Sequence, residues 1–242
     1  MLKHSPFESL GRMDIDWLSA RYHFSFANYH NPERMGFGPL RVWNDDTIKP
    51  GSGFPMHGHR DMEIITYVRK GAITHEDHLG NRGRTEAGDI QVMSAGKGIM
   101  HSEYNHESED TLIFQIWVEP DQTGLPARWE QRSFDKTEHS NGFQLFASGR
   151  AGDLETRGND DGIMVIHQDV ALYGGVLDRE QTLSQPLESG RGIYAVVVRG
   201  VAEINGTVIR ERDAVALYDE ETMNIKALEN SEVLFMDVPL TQ

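Results

Sequence analysis

The chain has 242 residues, 38% of them hydrophobic, with a formal net charge of −15 and no cysteine. The lack of cysteine excludes disulfides and thiolate metal ligands, and the negative charge argues against direct nucleic-acid binding. No apolar run approaches the roughly 20 residues of a membrane-spanning helix, and the N-terminal segment has no secretory pattern. We therefore expect a cytoplasmic globular protein without a membrane contact.

Short β-rich runs separated by turn residues dominate the chain, and long amphipathic helices are not evident. The pair Asn205-Gly206 between two apolar runs predicts a tight hairpin, and the segment around Gly80 predicts another. Repeated short strands at this spacing indicate an all-β fold of sandwiches or barrels. The predicted strands cover residues 62–68, 111–118, 143–147, 193–198, 214–218 and 232–238.

A polar stretch at residues 119–142 interrupts the strands and contains the breakers Pro120, Gly124 and Pro126. This stretch predicts an N-terminal domain over 1–125, a linker over 126–142 and a C-terminal domain over 143–242. The segments around Gly71 and Gly200 are similar, as are those around Asp89 and Asp213, so the two domains are predicted to be copies of one β unit.

Two pairs of possible metal ligands have the same spacing. His57 and His59 are separated by one residue, and His101 and Glu103 repeat that spacing about forty residues later. Alternate residues of a strand face the same side, so on neighbouring strands three imidazole nitrogens and one carboxylate oxygen would converge on a divalent cation. Such donors suit iron(II), manganese, cobalt, nickel, copper or zinc. Four protein donors around a six-coordinate ion leave two cis positions for a ligand or O2.

Two features of this hypothesis have alternatives. Glu63, four residues after His59, would lie on the same strand face and could compete with Glu103 for the metal, or serve as a salt-bridge partner. The four ligand candidates could also be ordinary surface residues, although two identical pairs that each follow a glycine loop argue against this. His23 could donate a hydrogen bond to a metal ligand, but it is interpreted as a buried, satisfied histidine. The histidines interpreted as solvated are His4, His30, His75, His78, His106 and His139.

The second copy lacks the ligands. Extending the two matches without gaps places Pro186 and Glu188 opposite the first histidine pair, and Ile225 and Ala227 opposite His101 and Glu103. We therefore predict that only the N-terminal domain binds metal.

The spacing Gly51-x5-His57-x-His59-x3-Glu63-x7-Gly71 resembles the first cupin motif, and Gly98-x2-His101-x3-Asn105 resembles the second. Longer segments resemble the pirin family of bicupins in particular. They are residues 23–29 (HFSFANY), 34–42 (RMGFGPLRV), 44–46 (NDD), 57–63 (HGHRDME) and 94–105 (SAGKGIMHSEYN).

This resemblance implies two tandem cupin barrels (double-stranded β-helix, or jelly-roll), of which the C-terminal one is metal-free. It implies the ligand set His57, His59, His101 and Glu103, with Glu63 outside it and Fe(II) as the expected ion. The resemblance to bacterial pirins further implies an activity like quercetin 2,3-dioxygenase, in which O2 opens a flavonol ring, carbon monoxide is released and Glu103 shuttles the substrate proton.

Two other functions stay open from the sequence. One is a regulatory module that senses metal or redox state and binds a protein partner, as animal members of the family imply. The other is a cupin acting on another small enol or catechol.

Overall fold

The computed structural model describes residues 1–134, 142–156 and 162–240. Within these ranges the only α-helix is α1 (Ala151–Thr156), so no described helix has the length and apolarity to cross a bilayer. The strands of the N-terminal half are β1 Leu2–Ser5, β2 Gly11–Asp14, β3 Leu18–Tyr22, β4 Leu40–Ile48, β5 Gly53–His59, β6 Glu63–Lys70, β7 Ala72–Asp77, β8 Arg82–Glu86, β9 Ile90–Ser94, β10 Ile99–Tyr104, β11 Thr111–Val118 and β12 Arg128–Arg132.

Ten further strands follow in the C-terminal half. They are β13 Gln144–Ser148, β14 Met164–Val165, β15 Ala171–Leu177, β16 Thr182–Pro186, β17 Arg191–Arg199, β18 Val201–Ile204, β19 Thr207–Arg210, β20 Ala214–Tyr218, β21 Thr222–Ala227 and β22 Ser231–Pro239.

Each half is a barrel made of one seven-stranded and one four-stranded sheet. In the N-terminal barrel the strand orders are β12-β9-β6-β11-β4-β3-β2 and β5-β10-β7-β8. In the C-terminal barrel they are β1-β20-β17-β22-β15-β13-β14 and β16-β21-β18-β19. The same two-sheet arrangement thus occurs twice, which confirms the predicted all-β architecture of two tandem barrels.

The local turn predictions are confirmed. β18 and β19 form a hairpin, and both Asn205 (φ +43°) and Gly206 (φ +81°) have the positive φ that a type I′ turn requires. Two predicted strands, Thr111–Val118 and Ala214–Tyr218, have the bounds expected from the sequence. The others differ by one or two residues at an end.

Two strands lie where the sequence interpretation did not expect them. β1 pairs with β20 of the C-terminal barrel, with Leu2 opposite Leu217. β12 lies inside the segment predicted as a linker and pairs with β9 of the N-terminal barrel, with Trp129 opposite Met93. The domain limits themselves stay a prediction, although strand pairing with the first barrel extends as far as Arg132.

The two large sheets pack against each other through a shared apolar core that includes Trp43 and Phe114 from the first barrel and Tyr194 from the second. Polar contacts join the barrels here too. Asp45 pairs with Arg69 and Arg212, and His23 Nδ1 lies 2.9 Å from Tyr194 Oη. The rest of this shared core includes Leu40, Tyr67, Ile116, Phe146, Val196, Leu234 and Met236.

His23 is buried, as expected, and burial lowers its pKa to about 3, so the ring is neutral. The prediction that it is fully satisfied is wrong for one atom, because Nε2 has no hydrogen-bond partner among the described residues.

Candidate metal centre

The three histidines of the two ligand pairs converge inside the N-terminal barrel. β5 and β10 are antiparallel neighbours, and His57 lies directly opposite His101. Their Nε2 atoms are 3.1 Å apart, and ring nitrogens of His57, His59 and His101 all lie within 4.8 Å of one another. The condition on which the sequence hypothesis rested, that the two segments are neighbouring strands, is therefore met.

Backbone features bring the two strands close together. Gly51 and Gly96 have positive φ values of +68° and +45°, as the tight turns predicted before each ligand pair require. At Gly53 a Cβ atom would lie 2.2 Å from the carbonyl oxygen of Glu103, so any other residue would separate β5 from β10. β5 is an edge strand with a bulge that contains Pro55, a position that proline tolerates.

A hydrogen bond orients the ring of His57, and burial keeps the rings of His59 and His101 neutral. His57 Nδ1 lies 2.7 Å from the Pro55 carbonyl oxygen, which assigns the proton to Nδ1 and leaves the lone pair on Nε2. Burial, with smaller contributions from the neighbouring histidines, lowers the pKa of His101 to about 2, and burial lowers that of His59 to about 4. Both rings are therefore neutral at pH 7, the form that can donate a lone pair to a cation.

Glu103 lines the same cavity, held by side-chain amides and a hydroxyl. Oε1 accepts hydrogen bonds from Gln91 Nε2 (2.5 Å) and Thr66 Oγ1 (3.2 Å), and Oε2 accepts one from Gln115 Nε2 (2.6 Å). Burial raises the pKa of Glu103, although the nearby His75 and the hydrogen bonds from Thr66 and Gln115 lower it in part. Its oxygens are not in the close group formed by the three imidazoles.

Sequence reasoning missed the two glutamines. Gln115 stands alone in the apolar run TLIFQIWV, and Gln91 stands between Ile90 and Val92. A single polar residue on the inward face of an otherwise apolar strand is the signal that could have identified both.

Glu63 faces away from the cavity, so the expectation that it shares a face with His59 is wrong. The alternation of faces holds only within a continuous strand. Here β5 ends at His59, Asp61 turns the chain with φ +46°, and β6 begins at Glu63. Its neighbour Ile64 lines the cavity instead, while Glu63 accepts a hydrogen bond from Ser94 Oγ (2.8 Å), and burial raises its pKa.

His75 is fully buried, so its interpretation as a solvated residue is also wrong. Its Nδ1 lies 3.3 Å from His101 Nδ1, its Nε2 lies 3.1 Å from Asp77 Oδ2, and its ring stacks on Trp129 at 4.7 Å. The polar turn begins only after Asp77, whose Oδ1 accepts hydrogen bonds from the backbone N–H groups of residues 79 and 81. A His101–His75–Asp77 chain therefore leads away from the three-histidine cluster.

The other histidines that were interpreted as solvated agree more closely with that interpretation. His30, His78 and His106 are exposed. His4 is only partly exposed, and its Nε2 lies 2.9 Å from Asp213 Oδ2. His139 lies outside the described residues.

The three histidines and Glu103 open onto a cavity of about 260 Å³ with mainly apolar walls. Tyr22, Phe26, Phe54 and Trp117 belong to these walls, whereas Phe114 packs into the core between the barrels. Trp117 meets His59 edge to face at 4.9 Å. Four aromatic side chains thus form part of the lining of the site.

The corresponding position of the C-terminal barrel is filled by apolar residues. Ile225 pairs with Leu183 and Ile204, as His101 pairs with His57 and Asp77. The register therefore places Leu183, not Pro186, at the equivalent of His57. The ungapped comparison failed because the segment from Leu183 to Gly200 in the second barrel is longer than the segment from His57 to Gly71 in the first. The predicted loss of ligands is unaffected.

Family models match both halves of the chain: one described as Pirin over residues 4–118 and one described as quercetinase C-terminal cupin domain over residues 155–238. A Pseudomonas aeruginosa protein, provisionally named as a quercetin 2,3-dioxygenase, is 52% identical over 98% of this chain and 100% of its own. The quercetin 2,3-dioxygenase of Escherichia coli K12 is 42% identical over 95% of both chains.

A solved structure has the same fold. The crystal structure of the bacterial pirin YhhW from Escherichia coli in complex with nickel(II) superposes with a TM-score of 0.91 at 40% identity, covering 100% of both chains. Together with the matches over both barrels, this similarity shows that the chain is a member of the pirin family, with two cupin domains.

Proposed function

We propose that this protein is a metal-dependent dioxygenase of the quercetin 2,3-dioxygenase type, which opens a flavonol ring with O2 and releases carbon monoxide. The observation that carries the proposal is the cluster of three imidazoles on the wall of a partly open cavity with mainly apolar walls. The two named relatives support the reaction class.

The donor set fits a divalent cation. His57, His59 and His101 would supply neutral imidazole nitrogens, and Glu103 a carboxylate oxygen. We propose Fe(II) as the native ion, although the same donors accept manganese, cobalt, nickel, copper or zinc. A cation bound there would supply Lewis acidity, which acidifies a coordinated hydroxyl and holds the reactants together.

Glu103 is the residue that we propose accepts the substrate hydroxyl proton. Its carboxylate lines the cavity beside the histidines, and Gln91, Gln115 and Thr66 hold its oxygens in place. Because all three donors approach through side chains of the large sheet, the carboxylate keeps its orientation when the proton arrives. A general base must be positioned within hydrogen-bond reach of the proton that it takes.

The apolar walls would bind the aromatic rings and exclude water. Trp117 and Phe26 meet edge to face at 5.3 Å, and Phe54 lies on the opposite, histidine-bearing side. Flat aromatic surfaces of this kind favour a planar aromatic ligand over a flexible polar one.

The test is oxygen consumption with quercetin by protein loaded with Fe(II), with carbon monoxide measured in parallel. We expect turnover by the wild-type protein and none by His57→Ala or Glu103→Ala. His106→Ala, which removes an exposed histidine, is the matched control and should retain full activity. Unchanged oxygen consumption in both cavity variants would refute the assignment, provided that circular dichroism shows the variants to be folded.

A further inference from the structure

The polar triplet Asn44-Asp45-Asp46 lies in the middle of β4, a strand whose other residues are largely apolar. Neighbouring side chains of a strand face opposite sides. Asp45 faces the second barrel and forms ion pairs with Arg69 and Arg212. Asn44 and Asp46 face the cavity of the first barrel. The metal centre uses neither of them.

Each of these two residues has one side-chain oxygen that the described residues leave without a hydrogen bond. Asp46 is 3% exposed and Asn44 is 4% exposed, and the Oδ1 atom of each has no hydrogen-bond partner among the described residues. A buried polar atom without a partner loses its hydrogen bond to water and gains nothing in exchange, which destabilises the folded protein. Two such groups on the wall of one cavity indicate that a ligand supplies the missing partners.

The charge state of Asp46 limits the kind of ligand. Burial raises the pKa of Asp46 well above its ordinary value, and the nearby Asp45 and Glu103 raise it further. In the described part of the chain Asp46 has no ion pair. An uncharged carboxyl group can both donate and accept a hydrogen bond, whereas a charged carboxylate only accepts and repels anions. A neutral hydroxyl group can pair with the carboxyl group in either state, because it can both donate and accept.

Asp46 and Asn44 lie across the cavity from the histidines. The histidines are on β5 and β10 of the four-stranded sheet, whereas β4 belongs to the seven-stranded sheet. Asn44 is the register partner of Gln115, whose amide donates to Glu103. A polar strip therefore runs from Glu103 through Gln115 and Asn44 to Asp46, and the cavity is small enough for one ligand to contact both ends of it.

We propose that Asp46 and Asn44 bind a hydroxyl group on the part of the substrate that lies away from the histidines. The pocket thereby selects uncharged aromatic compounds with a second hydroxyl over those that carry only the metal-chelating one. This inference rests on the proposed function for the position of the chelating end.

The experiment measures the dissociation constants of quercetin and of 3-hydroxyflavone, which lacks the additional ring hydroxyls. Protein loaded with nickel(II) is titrated without O2, and binding is followed by quenching of tryptophan fluorescence, because Trp117 lines the cavity. We expect wild-type protein to prefer quercetin by about tenfold, the value of one well-made hydrogen bond. Asp46→Leu should abolish this preference with little change for 3-hydroxyflavone, and Asp46→Asn should keep most of it.

Ile64→Val is the matched control, because it changes the cavity wall without altering a polar group. It should shift both dissociation constants by the same factor. If Asp46→Leu does not fold, Asn44→Val provides the same comparison. Equal affinity of the wild-type protein for the two probes, equal losses in Asp46→Leu, or no binding of either probe would overturn the inference.

The outcomes also separate this inference from the proposed function. Selective binding without oxygen consumption in air would refute the dioxygenase and leave the recognition by Asp46 intact. Turnover of both compounds with equal affinity would support the dioxygenase and refute the recognition by Asp46.

Discussion

The two barrels share one strand plan but have interiors of opposite character. In the N-terminal barrel, His57, His101 and Glu103 face a cavity. In the C-terminal barrel, Leu183 and Ile225 pair at the corresponding place, and Ala227 and Ala202 pair as Glu103 and His75 do. Ile225, Ala227 and Ala202 are fully buried in a continuous apolar core. The same fold is thus stabilised by apolar packing in one copy and retains a cavity with a cluster of histidines and a glutamate in the other.

Metal binding should depend on the first barrel alone, which is the largest effect we expect. His57→Ala removes one of three convergent imidazoles and should weaken metal binding by at least about 100-fold, more than the loss of an outer hydrogen-bond partner costs. Elemental analysis and metal titration after dialysis measure this. Full metal content in the variant would show that the cluster is not the site.

The second barrel should respond in stability and not in metal content. Ile225→Ala leaves a cavity in a fully buried apolar cluster, so the free energy of unfolding should fall by about 2–5 kcal/mol. Val208→Ala, on an exposed residue of the same barrel, is the control and should change little. Chemical denaturation measures both variants. A loss of metal in a folded Ile225→Ala protein would contradict the division of roles.

His75 should matter for metal affinity although it is not in the three-histidine cluster. His75→Phe keeps a ring to stack on Trp129 but removes the contacts with His101 and Asp77, so we expect metal affinity to fall by about 10–100-fold. Competition with a chelator of known affinity measures this. His78→Phe, on an exposed histidine three residues away, should bind metal as the wild type does. Equal affinity of the two variants would show that the buried chain has no part in orienting His101.

Acidification should destabilise the metal-free first barrel through His101. Burial lowers the pKa of this ring from 6.5 to about 2. Below pH 6.5 the unfolded chain therefore takes up a proton that the folded protein does not, and the free energy of unfolding falls as pH decreases towards the folded pKa. The contribution is about 1.4 kcal/mol per pH unit at its steepest.

Glu103 acts in the opposite direction, because a raised pKa favours protonation of the folded state and its contribution is lost as pH rises through that value. The free energy of unfolding is therefore measured by urea denaturation at pH 7 and pH 5.5, with a chelator present, in the wild type and in His101→Leu. The contribution of His101 is the difference between the two proteins in their change with pH. A variant with the same pH dependence as the wild type would contradict the prediction.

Most of the fold could be predicted because its signals are local. The residue types of the run Thr111–Val118 predict a strand, and those of the pair Asn205-Gly206 predict a turn, without information from elsewhere in the chain. β12 could not be predicted in the same way, because its sequence RWEQR has no apolar alternation and its stability comes from pairing with β9 and from the contact of Trp129 with His75.

The sequence by itself determined the all-β class, the asymmetry between the two copies and which residues are the candidates for binding a cation, because side-chain chemistry and period-two alternation are properties of short segments. Only the tertiary structure decided that Glu63 faces away from the cavity, that His75 is buried behind His101, and that Asn44 and Asp46 line the opposite wall. Those outcomes depend on where a strand bends and on which distant strand packs against it, and neither is encoded in the residues nearby.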